Sequence, residues 1–227
     1  TFIFVGNIKP EEVEPLIATY LGALPSVNRK ETFRDNHIDM RQGDYKNIFS
    51  KKLETPKASV LVINNGKCAY TLKNQIMMSM LSQILNIMYT ESVREKEGGT
   101  YGVSAFGSLT KYPKEKAVLQ IYFDTDPAKR AQMNSIVHNE LKRIAETGPR
   151  PEDFNKTKEN LLKKHAEALQ ENSYWLNTID TYYFKKRDDH STYDATLNAI
   201  TPASIQNLAK SLLKQGNTVE VVMEPSH

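Results

Sequence analysis

Residues 91–124 read ESVREKEGGTYGVSAFGSLTKYPKEKAVLQIYFD, and this stretch decides the fold. A charged helix end runs through Gly98-Gly99 into a strand that begins at Tyr101. Lys111-Tyr112-Pro113-Lys114 turns the chain. In the return strand Ala117, Leu119, Ile121 and Phe123 alternate with Lys116, Val118, Gln120 and Tyr122. That period of two marks an antiparallel strand with one face on a core and the other toward water.

The flanks supply the partners. Ala58–Asn64 (ASVLVIN) predicts a strand ending in the turn pair Asn65-Gly66. A helix follows from Thr71 to Arg94, with Ile76, Met77, Met80, Leu81, Ile84, Leu85 and Met88 forming a stripe wide enough to pack on a sheet and on a second helix. Downstream, Asp126-Pro127 pairs an N-cap residue with a first-turn proline and opens a helix to Thr147 that buries Met133, Ile136, Val137, Leu141 and Ile144. Further helices are predicted from Pro151, over the aromatic run Asn172–Tyr183, and from Thr201-Pro202 to Leu213, before a final strand Thr218–Met223. Strands grouped with long helices in this order give an α+β domain over residues 57–227 with a mostly antiparallel sheet.

The head of the chain has a different character. Residues 2–6 (FIFVG) predict a buried strand, and Pro10 opens a helix whose apolar face is Val13, Leu16, Ile17, Tyr20 and Leu21. Residues 26–56 are polar and charged and predict a linker, with an edge strand around Ile48–Lys51. The head (Thr1-Phe-Ile-Phe-Val) and the tail (Thr218-Val-Glu-Val-Val) are both short apolar strands that start with Thr and are soon followed by Pro. This echo, and an opening inside an apolar run, lead us to expect a piece of a longer protein of repeated domains. Residues 1–25 would be the terminal strand–helix unit of one copy and 57–227 most of the next.

Composition narrows the function. The 227 residues carry 30 Lys+Arg against 27 Asp+Glu, a formal charge of +3, which leaves no basic footprint for nucleic acid. No apolar run reaches the roughly 20 residues that a membrane-spanning helix needs. The single cysteine, Cys68, excludes an internal disulfide and a cysteine-based zinc knuckle, and is expected as a structural thiol. His37, His138, His165, His190 and His227 form no paired zinc motif, so no metal site is expected in this chain. The methionine cluster is expected in the core, and Gly98-Gly99 lacks the strand-before, helix-after setting of a phosphate loop.

What remains is Arg94 in the last helical turn and Tyr101 at the start of the strand, with a glycine turn between them that can fold both side chains toward one place. A guanidinium beside a phenol suits peptide carbonyls or a developing oxyanion. The same arginine also suits a helix C-terminus, where it complements the dipole.

Arg94-Glu-Lys-Glu-Gly-Gly-Thr-Tyr101 closely resembles the R-E-K-x-G-x-x-Y segment in the C-terminal half of pitrilysin/insulinase-type zinc peptidases, the inverzincins. The preceding apolar helix, the following hairpin, Asp124-Thr-Asp-Pro127, Gly148-Pro-Arg-Pro151-Glu-Asp153 and Phe4–Val13 are similar to that family too. The resemblance implies an insulinase-like (LuxS/metalloenzyme-type) half-domain with helices packed on one face of its sheet. Its members enclose peptide or unfolded polypeptide between a half carrying HxxEH with its zinc and a similar half without them. It further implies that Tyr101 stabilises the tetrahedral intermediate, that Arg94 positions substrate carbonyls, and that Gly98 and Gly99 line the substrate. Zinc and the catalytic domain would lie elsewhere in the same longer chain, which in bacterial relatives is often exported to the periplasm. A noncatalytic structural or assembly subunit of the same fold is the alternative.

Overall fold

The computed structural model describes residues 1–28, 30–95 and 100–226, except the side chains of residues 93–95, 100 and 101. The chain divides into two units, Asp35–Asn160 with Ala195–His227, and Thr1–Arg34 with Leu161–Asp194.

The first unit is built on a five-stranded sheet. Its strands are β1 (Tyr45–Lys51), β2 (Ala58–Lys67), β3 (Thr100–Thr110), β4 (Lys116–Thr125) and β5 (Thr218–Pro225), in the order β1-β5-β2-β4-β3. Only β1 and β5 run parallel; the other three pairings are antiparallel. The alternation in the sequence sets the faces. Val60 of β2 lies opposite Phe123 of β4 and Val222 of β5, and all three are fully buried. Their neighbours Leu61, Tyr122 and Val221 pair on the other face and stay half-buried or exposed.

Helices α2 (Leu72–Tyr89), α3 (Arg130–Thr147) and α7 (Pro202–Lys214) pack on the buried face and on one another. Met77, Met78, Met80 and Met88 are core residues, as expected. Helix α2 approaches β3 so closely at Gly107 that a Cβ there would sit 2.5 Å from the Met78 side chain. Both α2 and α7 are capped at their first turns. Thr71 accepts from the Asn74 amide, and Thr201 forms a reciprocal capping box with Ser204.

Several expectations need correction. Asn65-Gly66 is not a turn but the end of β2. Asn65 and Asn217 exchange side-chain-to-backbone hydrogen bonds there, and the Gln215 amide fills the space a Cβ on Gly66 would need, 2.4 Å away. The helix predicted to Arg94 is α-helical only to Tyr89 and continues as a π-helical turn, Thr90–Glu95. Asp126-Pro127 caps a short 3-10 turn, Pro127–Lys129, before α3 begins at Arg130. The edge strand expected near Ile48–Lys51 exists and extends back to Tyr45, within the stretch read as a linker.

The second unit holds α1 (Pro10–Tyr20), the C-terminal part of α4 (Pro151–Ala168) and α5 (Asn172–Lys185); a short helix, α6 (Tyr193–Asn198), begins at its end. Residues 2–6 are not a buried strand: they are paired with no strand, and Phe2 and Phe4 are 60% and 51% exposed. An apolar run signals a need for burial without saying against what. Phe4, Ile8, Val13 and Ile17 instead line a groove of about 540 Å³ with Trp175 and Ile179. Helices α1 and α5 bury no residue completely. A polar relay ties the unit together: Asp194 to His165 at 2.9 Å, His165 to the Tyr174 hydroxyl at 3.0 Å, and that hydroxyl to His190 at 2.8 Å.

Candidate functional site

Arg94 and Tyr101 sit on two departures from regular backbone. Arg94 lies in the π-helical turn Thr90–Glu95, where widened hydrogen bonding follows the regular turns of α2. Tyr101 lies where the β3–β4 register slips: Thr100 pairs with Thr125 and Gly102 with Asp124, so Tyr101 is the extra residue of a β-bulge. Both kinds of irregularity recur at functional sites because they re-aim a side chain without breaking the element. The side chains of Arg94 and Tyr101, and Gly98 and Gly99 entirely, lie outside the described residues.

The frame around these positions is polar and tightly bonded. Glu91, in the π turn, pairs with Arg150 at 2.7 Å. Arg150 in turn donates two hydrogen bonds to Asp153, at 2.6 and 3.0 Å, in a fork-to-carboxylate geometry. Asp153 is only 2% exposed. The bonds to Glu91 and to Asp153 raise the Arg150 pKa, so its charge is permanent. The next residue, Ser92, donates to Glu140 of α3 at 2.7 Å, and Arg143 holds the other oxygen of that carboxylate at 2.8 Å. Tyr89, buried just before the turn, donates to the Val137 carbonyl at 3.0 Å; burial pushes its phenol far above the usual range. Asn86 of α2 reaches the outer edge of β3, where its amide accepts from Ala105 N–H at 2.7 Å and donates to Ala105 C=O at 3.0 Å.

Beside the bulge, on the face of the sheet away from the helices, Asp124 accepts from Lys57 at 2.8 Å, from Tyr122 at 2.8 Å and from Ser59. Burial alone would raise the Asp124 carboxyl, but these donors outweigh it and hold its pKa below the ordinary value. This face therefore presents a Lys57–Asp124 ion pair and two hydroxyls at the end of the sheet where β3 begins. A cavity of about 760 Å³ lined by Asp39, Lys67, Cys68 and Lys114 lies at the opposite end of the β3–β4 hairpin. Burial raises the Cys68 thiol there.

Sequence reasoning missed the Glu91–Arg150–Asp153 chain and the Asp124 cluster. The signal for the first was present in Arg150-Pro151-Glu152-Asp153, an arginine and a carboxylate three apart at a helix start. The second depends on strand pairing across β2 and β4, which no local pattern encodes.

Among the described residues no group of three or more His, Cys, Asp or Glu could hold a metal ion. His138 is committed to Glu220 at 3.1 Å, and His165 to Asp194 and Tyr174. No helix among the described residues is long and apolar enough to cross a membrane.

A family profile described as the Peptidase M16 inactive domain matches residues 1–161. A zinc protease PQQL-like protein of Arabidopsis thaliana is 26% identical over 198 residues, covering 79% of this chain and 20% of that protein. The probable zinc protease PqqL of Haemophilus influenzae is 21% identical over 240 residues, covering 100% of this chain and 24% of that protein. The crystal structure of the periplasmic protease PqqL from Escherichia coli aligns with a TM-score of 0.78 at 16% identity, over 97% of this chain and 25% of that one, a likeness of fold. The chain thus spans about a fifth to a quarter of the length of these three proteins.

Proposed function

Because this chain belongs to the peptidase M16 inactive-domain family, a branch of the zinc proteases, we propose that it is the substrate-holding, noncatalytic region of a longer zinc endopeptidase. Residues 1–25 would complete the preceding domain, 26–56 would link, and 57–227 would form the inactive half that closes over a peptide or unfolded polypeptide. The Arg94 guanidinium would hold carbonyls of the bound backbone. The Tyr101 phenol would donate to the oxyanion that develops on the scissile carbonyl. Gly98 and Gly99 would let the substrate backbone approach closely. The metal and the general base belong to the catalytic half in the same longer chain, so no hydrolysis is expected from this region alone. A periplasmic location is part of this reading, by analogy with the Escherichia coli protein.

The observation that carries it is the placement of Arg94 on a π turn and Tyr101 on a β-bulge within the stretch the family profile matches. The test is peptide hydrolysis by the full-length protein carrying Arg94→Ala or Tyr101→Phe. Each should lose about 1–4 kcal/mol of transition-state stabilisation in kcat/KM. Wild-type rates from both would remove the assigned roles.

A second reading, a noncatalytic assembly subunit of the same fold, is favoured by the profile being that of an inactive domain. The upstream sequence separates the two. An intact HxxEH followed further along by Glu, with zinc bound to the full-length protein, excludes the subunit reading.

A further inference from the structure

We infer that Arg150 and Glu91 are positioning residues for Arg94: together they form a clamp, anchored on buried Asp153, that sets the backbone of the π turn to which Arg94 belongs. The clamp bears on catalysis only if Arg94 contacts substrate, as proposed above. Its geometry begins at a rigid base. Arg150 lies between Pro149 and Pro151, whose rings fix their own φ angles, and its carbonyl accepts the Phe154 amide in the first turn of α4. The two bonds to Asp153 fix the plane of the guanidinium, and the carboxylate that makes them is itself buried. That plane leaves Nη1 directed at Glu91, 2.7 Å away.

An ion pair this open, with Glu91 40% and Arg150 30% exposed at the side chain, contributes little to stability by itself. Geometry is what it offers. Glu91 precedes Arg94 by three residues in the same π turn, and a second tether one residue on, Ser92 to Glu140, fixes the rotation of the turn against α3. A turn held at two adjacent residues has its backbone start fixed, and substrate-positioning groups lose rate steeply when displaced by about 1 Å.

Glu91→Gln in the full-length, zinc-loaded protein is the test. It keeps the shape of the side chain and leaves the Arg150–Asp153 pair intact, so the melting temperature should hold. Hydrolysis of a fluorogenic peptide should fall about tenfold in kcat/KM. In an Arg94→Ala background the same change should have no further effect, because the clamp acts through Arg94. Hydrogen exchange at amides 90–95 should rise in Glu91→Gln while exchange in β2 and β4 stays as in the wild type; this readout does not depend on turnover. Unchanged exchange at 90–95, or a loss that adds fully to that of Arg94→Ala, overturns the clamp. Full activity of Arg94→Ala and Tyr101→Phe overturns instead the reading on which it rests.

Discussion

The two units of this chain contain similar densities of apolar residues but use them in opposite ways. In the sheet unit, β2, β4 and β5 and three helices bury a continuous layer of Val, Ile, Leu, Met and Phe side chains. In the other unit Leu16, Tyr20 and Tyr183 are 56%, 71% and 58% exposed, and its contacts include the Asp194–His165–Tyr174–His190 relay and the Trp175 indole donating to the Leu169 carbonyl at 2.9 Å. Amphipathic spacing predicts which residues seek burial. Whether the chain supplies the opposite surface is a separate matter. One unit rests on a fully buried hydrocarbon layer, the other on partly exposed apolar contacts and directional bonds, and the two should fail differently.

The largest expected effect is in the hydrocarbon. Phe123→Ala opens a cavity under the centre of the sheet, where Phe123 faces Val60 and is fully buried. It should cost about 3–5 kcal/mol in denaturant unfolding. A loss below 1 kcal/mol would mean that the sheet core is not the source of stability. Next comes Tyr174→Phe, which removes the hydroxyl that joins His165 to His190. We expect about 1–3 kcal/mol, seen as exchange of amides in α5 with the protection of β4 unaltered. Equal loosening of both units would erase the distinction between them.

The smallest effect concerns a charged cluster beside the β1–β5 pair of the sheet unit. Glu220 of β5 accepts from Asn134 and His138 of α3 and pairs with Lys46 of β1 at 2.7 Å. Burial works to raise its pKa, and the three partners reverse that, so it ends below the ordinary 4.5. A carboxylate lowered on folding adds stability that is complete above pH 4.5 and is lost as the pH falls below it. Glu220→Gln should therefore flatten the acid limb of a stability–pH curve below 4.5 and leave the neutral region little altered in slope. A wild-type acid limb in this variant would assign the dependence to other carboxylates.

Much of the fold is written in local pattern. Ala117, Leu119, Ile121 and Phe123 declare one face of β4, and the Thr201 cap and Gly216 bracket α7. What escapes local reading is set by partners distant in sequence. Strand β1 carries Lys46, Asn47, Ser50 and Lys51 and resembles a linker, because it is stabilised by pairing with β5 more than 170 residues away and not by burial of its own side chains. Asn65-Gly66 has turn composition, but Gln215 and Asn217 claim it for the sheet. The π turn shares the composition of the helix it follows, so periodicity runs through it without a mark. For the candidate site, the sequence motif points to Arg94 and Tyr101, whereas the Glu91–Arg150 contact joins residues 59 apart and becomes visible only when α4 is placed.

The Asn86 amide has one more consequence. By taking both the N–H and the C=O that Ala105 directs away from β4, it shuts the only free border of β3 halfway along its length. An extended chain that lay alongside β3 at this point would have to replace both bonds of that amide with its own backbone groups. At Ala105 this border is therefore occupied, and a strand added along β3 would have to displace the Asn86 amide there.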